Sequence, residues 1–209
     1  MGCTTITYDA PLKKYLMCVT DGWPGVEDMN SYILEADEIS GPCRLVTFMN
    51  KFGRQSEDPL KGENNVALRA RVNVSSVHKE NKPFTELIEY FGEGAVDGIV
   101  DLNARINAHE WVSRGERETA MIRLSWDSPQ TVRRVWLFDR PESGDHITSG
   151  VLLFSDGSSI LVGELPNDAK ACKELSFPPK TVTWVVFVVD AVSKETANTG
   201  LAEMAVFRD

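Results

Sequence analysis

The feature that most constrains the fold of this chain is a series of closely spaced apolar segments between residues 64 and 208. In residues 120–126, apolar and polar side chains alternate, which is typical of a strand with one buried face. Residues 132–138 and 182–189 carry apolar side chains on both faces, which indicates strands inside a sheet rather than at its edge. About seven or eight such strands, joined by short turns, predict an all-β sandwich.

Turn chemistry supports this interpretation. Gly150–Phe154 and Ile160–Val162 are two apolar runs separated by a segment that contains Asp156-Gly157. An Asp-Gly pair in this position predicts a β-hairpin, and we expect a type I′ turn, in which both central residues adopt positive φ.

Helical signals are weak. The best candidate is Pro83–Tyr90, with Thr85 as its cap and Gly92 as its stop, and it predicts one or two turns at most. Three tryptophans are expected in the core because they lie within the apolar strands, namely Trp126, Trp136 and Trp184.

The first 60 residues form a separate β-rich segment. Four short strands are expected there, at Ile6–Tyr8, Tyr15–Val19, Ser31–Ala36 and Arg44–Phe48. Residues 53–65 are polar and rich in turn formers, so the domain boundary is predicted within them. The predicted organisation is a small β-rich appendage over residues 1–60, followed by a sandwich over residues 64–209.

Charge excludes some classes of function. Lysine and arginine total 22, aspartate and glutamate total 31, and the formal net charge is −9. Nucleic-acid binding requires clustered cations that neutralise phosphates, so we expect no nucleic-acid partner. No apolar stretch reaches the roughly 18 residues that a membrane span needs, so we expect no membrane insertion.

Catalysis finds little support in the sequence. There is no Gly-x-Ser-x-Gly elbow and no phosphate-binding loop, and the three histidines lack the spacing of a metal site. The four cysteines, Cys3, Cys18, Cys43 and Cys172, form no close pair, which excludes a zinc knuckle or a redox motif. A Cys18–Cys43 disulfide and four reduced thiols both stay open.

Several segments, taken in order, carry a family resemblance: Gly94–Gly98, His109–Trp111, Trp136–Pro141, Gly150–Ser158, Leu165–Asp168 and Thr199–Met204. Residues 64–208 resemble the galactose-binding-like domains of the discoidin or coagulation-factor type C kind, close to family 32 carbohydrate-binding modules. The nearest branch resembles fungal modules appended to secreted glycosidases and lectin-like proteins. The resemblance implies a jelly-roll β-sandwich that binds glycans, without catalysis, through loops at one end.

The resemblance also implies a structural calcium ion. The matching residues are Asp97 and Glu203, with backbone oxygens of Gly94, His109 and Ala202 as further ligands. Calcium suits such a set because it accepts six to eight oxygens, many of them carbonyls. The loop from residue 99 to 108 is longer than the loop of the family. The alternative is that Asp97 makes a turn and that Glu203 makes a salt bridge.

Candidate sugar contacts follow from the same resemblance and from their place in loops. Trp111 could stack on a pyranose while polar neighbours orient hydroxyls; the alternative is that Trp111 plugs the end of the core. A second group follows the strand that ends near Phe138, and there the alternatives are an internal Asp–Arg pair and ordinary loop residues. The full set is His109, Glu110, Trp111, Arg114, Asp139, Arg140, His146 and Asn167.

The N-terminal segment has its own resemblance. Tyr32–Pro42 resembles the closing blade of five-bladed β-propellers in glycosidase-like proteins, where a strand runs into a Gly-Pro turn. One blade alone exposes both faces, so we expect it to pack on the sandwich or on another copy, as a homodimer. The resemblance implies the C-terminal part of a longer chain. No signal-peptide pattern is visible, so the protein is either cytoplasmic or part of a longer secreted chain. The resemblance to modules of secreted glycosidases favours the secreted location, and the cytoplasmic location is the alternative.

These observations predict a non-catalytic carbohydrate-binding module or lectin-like domain. Two alternatives stay open. The first is a protein-interaction or assembly module, since the same sandwich fold serves several functions. The second is an inactive C-terminal fragment of a glycoside hydrolase, because the blades that would carry carboxylates are missing.

Overall fold

The structure is a computed structural model that describes residues 4–20, 31–49, 59–80, 88–100, 109–169 and 171–208. The chain divides into two compact units, Met1–Glu63 and Asn64–Asp209, and this division lies within the polar stretch 53–65. Among the described residues, no helix has the length and hydrophobicity needed to cross a bilayer. The cysteine thiols at 18, 43 and 172 are free, so Cys18 and Cys43 are not linked.

The N-terminal unit is a four-stranded antiparallel sheet in the order β1-β2-β3-β4. Its strands confirm the four predicted segments, and they are β1 (Thr4–Asp9), β2 (Lys14–Thr20), β3 (Ser31–Ala36) and β4 (Arg44–Met49). Ile6, Met17 and Leu34 are directly opposite one another across three strands and therefore share one face. Ile6 is 44% exposed and Tyr8 is 53% exposed, so the part of this apolar face that β1 contributes is exposed, whereas Met17 and Leu34 are half-buried.

The regular elements of the second unit are mainly strands, as predicted. They are β5 (Arg71–Val74), β6 (Lys79–Glu80), β7 (Ile88–Glu89), β8 (Trp111–Val112), β9 (Met121–Phe138), β10 (Ile147–Phe154), β11 (Ser159–Val162), β12 (Cys172–Val192), β13 (Gly200–Leu201) and β14 (Glu203–Phe207). Short 3₁₀ segments lie at Pro59–Lys61, at the end of the first unit, and at Val66–Arg69 and Gly92–Ala95.

Two long strands, β9 and β12, contribute to both layers of the sandwich. They pair antiparallel along most of their length. The first half of β9 pairs with β5, and the last part of β12 pairs with β10, which gives the five-stranded layer β11-β10-β12-β9-β5. The second half of β9 pairs with β14, which gives the three-stranded layer β12-β9-β14. Strands that pass from one layer to another are a known solution in packed sheets.

The sequence predicted two separate strands, 120–126 and 132–138, where the structure has the single strand β9. The intervening residues 127–130 contain turn formers, but the chain stays extended through them, and pairing with β12 resumes on either side, at Ser125 opposite Trp184 and at Gln130 opposite Val182. The bend is absorbed by shifts in register between Ser176 and Lys180 and again beyond Val182. Prolines 178 and 179 lie at the first shift, where a missing N–H costs no ladder hydrogen bond.

Side chains from both layers meet in one core. Ile122 and Leu124 of the five-stranded layer and Val135 and Leu137 of the three-stranded layer are all fully buried. Trp126 is 7% exposed, which confirms its predicted place in the core.

Two of the three tryptophans predicted in the core are elsewhere. Trp136 and Trp184 are half-buried on the outer faces, because each is adjacent in its strand to inward-facing valines. The guanidinium of Arg134 lies 5.3 Å from the Trp136 ring, and that of Arg123 lies 4.7 Å from the Trp184 ring. Cation–π contact and the arginine stems therefore cover rings that the core does not.

The predicted hairpin is confirmed, but its turn is of another type. Gly157 has a φ of 83°, whereas Asp156 does not have a positive φ. The amide of Gly157 donates to the carbonyl of Phe154 at 3.0 Å, and the amide of Ser158 donates to Oδ1 of Asp156 at 2.9 Å. A turn followed by one left-handed glycine thus replaces the type I′ turn, since the side chain of Asp156 stabilises its own loop.

The helix predicted at Pro83–Tyr90 is wrong at its C-terminal end. Residues 81–87 lie outside the described part, but Ile88–Glu89 is strand β7 and pairs with β6. The amide of Tyr90 donates to the carbonyl of His78 at 3.1 Å, which extends the pairing. Long-range pairing therefore overrides the local helical pattern in a segment too short to form an isolated helix.

Candidate functional site

Four loops meet at one end of the sandwich, which we call the loop end: residues 109–119, 139–146, 163–169 and 193–199. The segment Asp139–His146 joins β9 of the three-stranded layer to β10 of the five-stranded layer. Backbone hydrogen bonds connect these loops, since Ser193 donates to the carbonyl of His146 at 2.8 Å and Leu165 donates to the carbonyl of Ile147 at 3.1 Å. The loops therefore form one continuous rim.

Arg140 lies at the centre of the loop end, and its side chain is only 10% exposed. Its Nε donates to Oε2 of Glu110 at 2.8 Å, and its Nη1 donates to Asp145 and to the carbonyl of Asn198 at 3.2 Å. Asp145 in turn accepts the backbone amides of Ala197 and Asn198 at 2.6 and 3.2 Å. One guanidinium thus holds together three loops.

Electrostatics keep this arginine charged. Burial by itself would lower the pKa of Arg140, but the charges and hydrogen bonds of Glu110 and Asp145 raise it above its ordinary value. The close approach needs a glycine, because a Cβ on Gly200 would lie 2.0 Å from the carbonyl oxygen of Trp111 and 2.9 Å from Cδ of Arg140.

Arg140 and Glu110 were predicted as sugar contacts, and the structure places both in the scaffold instead. Glu110 is 2% exposed, and Nε and Nη1 of Arg140 are engaged by buried oxygens. The alternative of an internal Asp–Arg pair holds with a different acid, because Arg140 pairs with Asp145 and Glu110, whereas Asp139 accepts the backbone amide of Arg140 at 2.9 Å.

Asp139 and His146 form a second buried pair next to the first. Oδ2 of Asp139 lies 2.9 Å from Nδ1 of His146 and accepts the amide of Ile147 at 3.1 Å. On its other side, Nε2 of His146 lies 2.9 Å from Oε1 of Glu164. Burial raises the pKa of Asp139 despite its hydrogen bonds. Burial lowers the pKa of His146, but the bonds to Glu164 and Asp139 outweigh it, so that the pKa lies above 6.5.

Trp111 is not available to a ligand. Its side chain is fully buried, and its Nε1 donates to the carbonyl of Ser76 at 2.9 Å. Strand β8 pairs Trp111 with Leu201, which is also fully buried. The predicted role in sugar stacking is therefore wrong, and Trp111 closes the end of the core, as in the alternative interpretation.

The other predicted sugar contacts are found in different settings. Arg114 is exposed, and its backbone amide donates to Oγ of Ser76 at 2.8 Å. Asn167 is exposed and its Nδ2 donates to the carbonyl of Ser143 at 3.1 Å, which ties two loops of the rim together. His109 is half-buried at the start of its loop, where its ring lies beside Asp97.

The predicted calcium ligands lie around one turn. Nδ1 of His109 is 2.6 Å from Oδ2 of Asp97, and Oδ1 of Asp97 accepts the amide of Ile99 at 2.9 Å. Glu203 is fully buried, and its Oε2 accepts the amide of Gly98 at 3.2 Å. A buried carboxylate beside a turn with backbone carbonyls fits the oxygen chemistry of calcium. Within the described residues, no group of three His, Cys, Asp or Glu side chains could hold a metal ion.

Sequence reasoning missed Asp145, Glu164, Thr196 and Phe91. Asp145 and Glu164 are acidic residues near predicted loop residues, but no local signal shows which cation each one meets. Oγ1 of Thr196 accepts the amide of His146 at 3.0 Å. Phe91 is an aromatic residue that is 49% exposed, next to Tyr90. Burial and the hydrogen bond to Glu80 raise the pKa of Tyr90 to about 12. The charge of Glu110 also raises this pKa, and the charge of Arg140 lowers it.

A family model matches residues 65–207 of the chain and is described as "Domain of unknown function (DUF7402)". The chain belongs to the DUF7402 family. A search of curated proteins found no match. The DUF7402 domain is the sandwich unit that carries the loop end.

Solved structures show the fold of this DUF7402 protein. It is similar to the lectin domain of lectinolysin in complex with Lewis B antigen, with 18% identity and a TM-score of 0.53 over 70% of this chain and 98% of that chain. A Streptococcus pneumoniae fucose-binding module has 17% identity and a TM-score of 0.50 over 69% and 95%. Chitosan-binding module 2 from the chitosanase/glucanase of Paenibacillus sp. IK-5, in complex with chitotriose, has 21% identity and a TM-score of 0.50 over 68% and 99%. These similarities confirm the predicted all-β sandwich fold.

Replacement of Arg140 by alanine tests whether this side chain holds the loop end. Arg140→Ala leaves Glu110 and Asp145 buried without their cation, so we expect the free energy of unfolding to fall by about 3–5 kcal/mol. Arg114→Ala removes an exposed arginine from the same end and should change it by less than about 0.5 kcal/mol. Urea denaturation measures both. Equal, small effects of the two variants would contradict the assigned role of Arg140.

Proposed function

We propose that this domain is a non-catalytic carbohydrate-binding module that holds glycans against the exposed loops of the loop end. The observation that carries the proposal is a rim of exposed polar side chains on loops that are held together by buried Arg140 and its partners Glu110 and Asp145. Binding sites in sandwich folds are commonly built from loops on a rigid scaffold. Support also comes from the related folds, which are a lectin domain in complex with Lewis B antigen, a fucose-binding module and a chitosan-binding module in complex with chitotriose.

The chemistry of the rim suits sugar hydroxyls. Glu142, Ser143, Asn167 and Asp168 are exposed and offer carboxylate, hydroxyl and amide groups around the joined loops. An exposed polar side chain that binds a sugar hydroxyl gives up a hydrogen bond to water, so the net gain in binding free energy is small. Each site should therefore bind weakly. Useful affinity would then come from several copies or from an attached domain.

We assign the stacking role to Phe91 instead of Trp111. Phe91 is half exposed. The carbonyl of its neighbour Tyr90 accepts a hydrogen bond from the backbone amide of Val112 at 3.3 Å, and Val112 is in strand β8 next to Trp111. Phe91 therefore lies beside the loop end and presents a ring face that a pyranose could cover.

Glycan-array screening followed by affinity electrophoresis tests the function and the stacking role. We expect retention on at least one polysaccharide. Phe91→Ala should weaken it about two- to tenfold, because an aromatic contact contributes about 0.5–1.5 kcal/mol. Leu153→Ala is the matched control, since Leu153 is 38% exposed but lies at the end of β10 next to the turn at residues 155–158, away from the rim. Absence of retention on all neutral and acidic polysaccharides would refute the proposed function.

We also propose that a structural calcium ion is held by Asp97 and Glu203, with backbone oxygens of Gly94, His109 and Ala202. The support is the buried carboxylate of Glu203 beside the turn at Asp97. When bound, calcium would supply positive charge that offsets the two carboxylates and would fix this turn against β14.

A thermal-shift titration tests the calcium site. Added calcium should raise the midpoint of unfolding by several degrees and a chelator should reverse the shift, because a ligand that binds only the folded state stabilises it. Asp97→Asn should remove the response, whereas Asp190→Asn, which removes an exposed carboxylate from β12, should keep it. No response of the wild-type protein to calcium or to the chelator would exclude the site.

A second candidate function is assembly through the N-terminal sheet, as a homodimer. The observation that favours it is the apolar face of this sheet, on which Ile6 and Tyr8 are about half exposed and share a face with Met17. Exposed apolar faces of this kind mark interaction surfaces in soluble proteins.

Light scattering of paired variants tests assembly. Ile6→Glu introduces a charge on the apolar face and should convert a dimer to a monomer, because the buried contact would then contain an unpaired carboxylate. Thr7→Glu places the same charge on the opposite face of β1 and should leave the dimer intact. A wild-type protein that is monomeric at all concentrations would rule this function out.

Three further interpretations stay predictions: the likeness of Tyr32–Pro42 to a propeller blade, the glycoside hydrolase fragment, and the secreted rather than cytoplasmic location. The structural relatives named above are lectin and carbohydrate-binding domains rather than catalytic domains.

A further inference from the structure

His146 joins two loops of the rim through both nitrogens of its ring. Nδ1 faces Asp139, at the start of its own loop, and Nε2 faces Glu164, in the loop Gly163–Ala169, which we call the Glu164 loop. Both distances are 2.9 Å. The His146 side chain is 10% exposed and that of Asp139 is 1% exposed, whereas the Glu164 side chain is 70% exposed.

The number of protons on the His146 ring decides whether both of its contacts are attractive, and this number depends on pH. Asp139 already accepts the amides of Arg140 and Ile147, so its carboxylate acts as an acceptor and Nδ1 of His146 must be the donor. A neutral imidazole has only one N–H, and Nε2 would then turn a lone pair toward the carboxylate of Glu164. The contact between His146 and Glu164 is therefore attractive only in the imidazolium form.

Among the described residues, Asp139 and Glu164 are the charged groups that contact the ring of His146. The segment 193–199 meets His146 through Oγ1 of Thr196, which accepts the backbone amide of His146 and is not titratable in this range. The neighbouring acid, Asp145, is paired with Arg140. The charges that act on the His146 ring are those of Asp139 and Glu164.

The Glu164 loop is also held by uncharged hydrogen bonds to neighbouring segments. Leu165 anchors it in the core, with 1% exposure, and donates its amide to Ile147. Asn167 donates to the carbonyl of Ser143. The His146–Glu164 contact adds a charged link between these two loops.

We propose that His146 is a positioning residue of the loop end: its imidazolium fastens the Glu164 loop to the Asp139–His146 loop, and loss of the proton releases it. The rim is therefore closed in mildly acidic solution and loosened in alkaline solution. The consequence for glycan affinity rests on the proposed function, whereas the fastening itself does not.

The direction of the pH dependence follows from the difference between the pKa values of His146 in the folded and unfolded protein. The pKa of His146 in the folded protein lies above 6.5, so the stabilising contact is fully present below pH 6.5 and is lost as the pH rises through the folded-state pKa. Glycan affinity should fall over that same interval, by about fivefold or less, since a partly exposed ion pair contributes little.

NMR titration of the His146 imidazole in the full chain tests the fastening. We expect the pKa of His146 to lie above its ordinary value in the wild-type protein and to be lower in Glu164→Gln, which keeps the size of the side chain but removes its charge. Glu195→Gln is the matched control, because it removes an exposed carboxylate from the segment 193–199 and should leave the His146 titration unchanged. A wild-type pKa at or below 6.5, or the same pKa in Glu164→Gln, would overturn the proposal.

Hydrogen exchange gives a second readout that needs no ligand. Relative to Glu164→Gln, the wild-type protein should protect the Leu165 amide several-fold at pH 6, and the difference should vanish at a pH two units above the measured pKa. A difference that does not change with pH would reduce Glu164 to an ordinary structural contact. If both readouts agree and no glycan binds at any pH, the fastening stands and the proposed function fails.

Discussion

The loop end of the sandwich depends on one buried guanidinium. Arg140 is enclosed by Glu110, Asp145 and the carbonyl of Asn198, which come from three different loops. An unpaired charge at such a place would be costly, so the three loops can be ordered only together. The rigid rim that we propose for glycan binding is a consequence of this pairing.

The loop end contains two kinds of polar side chain, buried and exposed. Buried groups, such as Arg140 and Asp139, satisfy one another and fix the backbone, whereas exposed groups, such as Asn167 and Glu142, remain accessible from solvent. His146 lies between the two sets, because it contacts a buried acid on one side and an exposed acid on the other. This intermediate place is the reason that the protonation of a single ring can influence how the rim is held.

The architecture beneath the loops comes from two long strands. β9 and β12 pass through both layers, so the five-stranded and three-stranded layers are parts of one continuous pairing. Their bends let Leu124 and Leu137 of the same strand enter the core from opposite layers. A continuous ladder of this kind explains why the rim loops start from fixed positions at the strand ends.

The sequence by itself determined the all-β class, the four N-terminal strands and the hairpin at Asp156-Gly157, because a two-residue period and turn residues act locally. It did not show that 120–126 and 132–138 are one strand, since both segments pair with the same distant strand, β12, and no local pattern shows this.

Tertiary structure alone decided the site. Arg140 meets Glu110 across 30 residues and His146 meets Glu164 across 18, and no local pattern selects one acid among 31 as the partner. For the same reason, the burial of Trp111 and the exposure of Phe91 follow from the packing of distant segments rather than from their own neighbours in the chain.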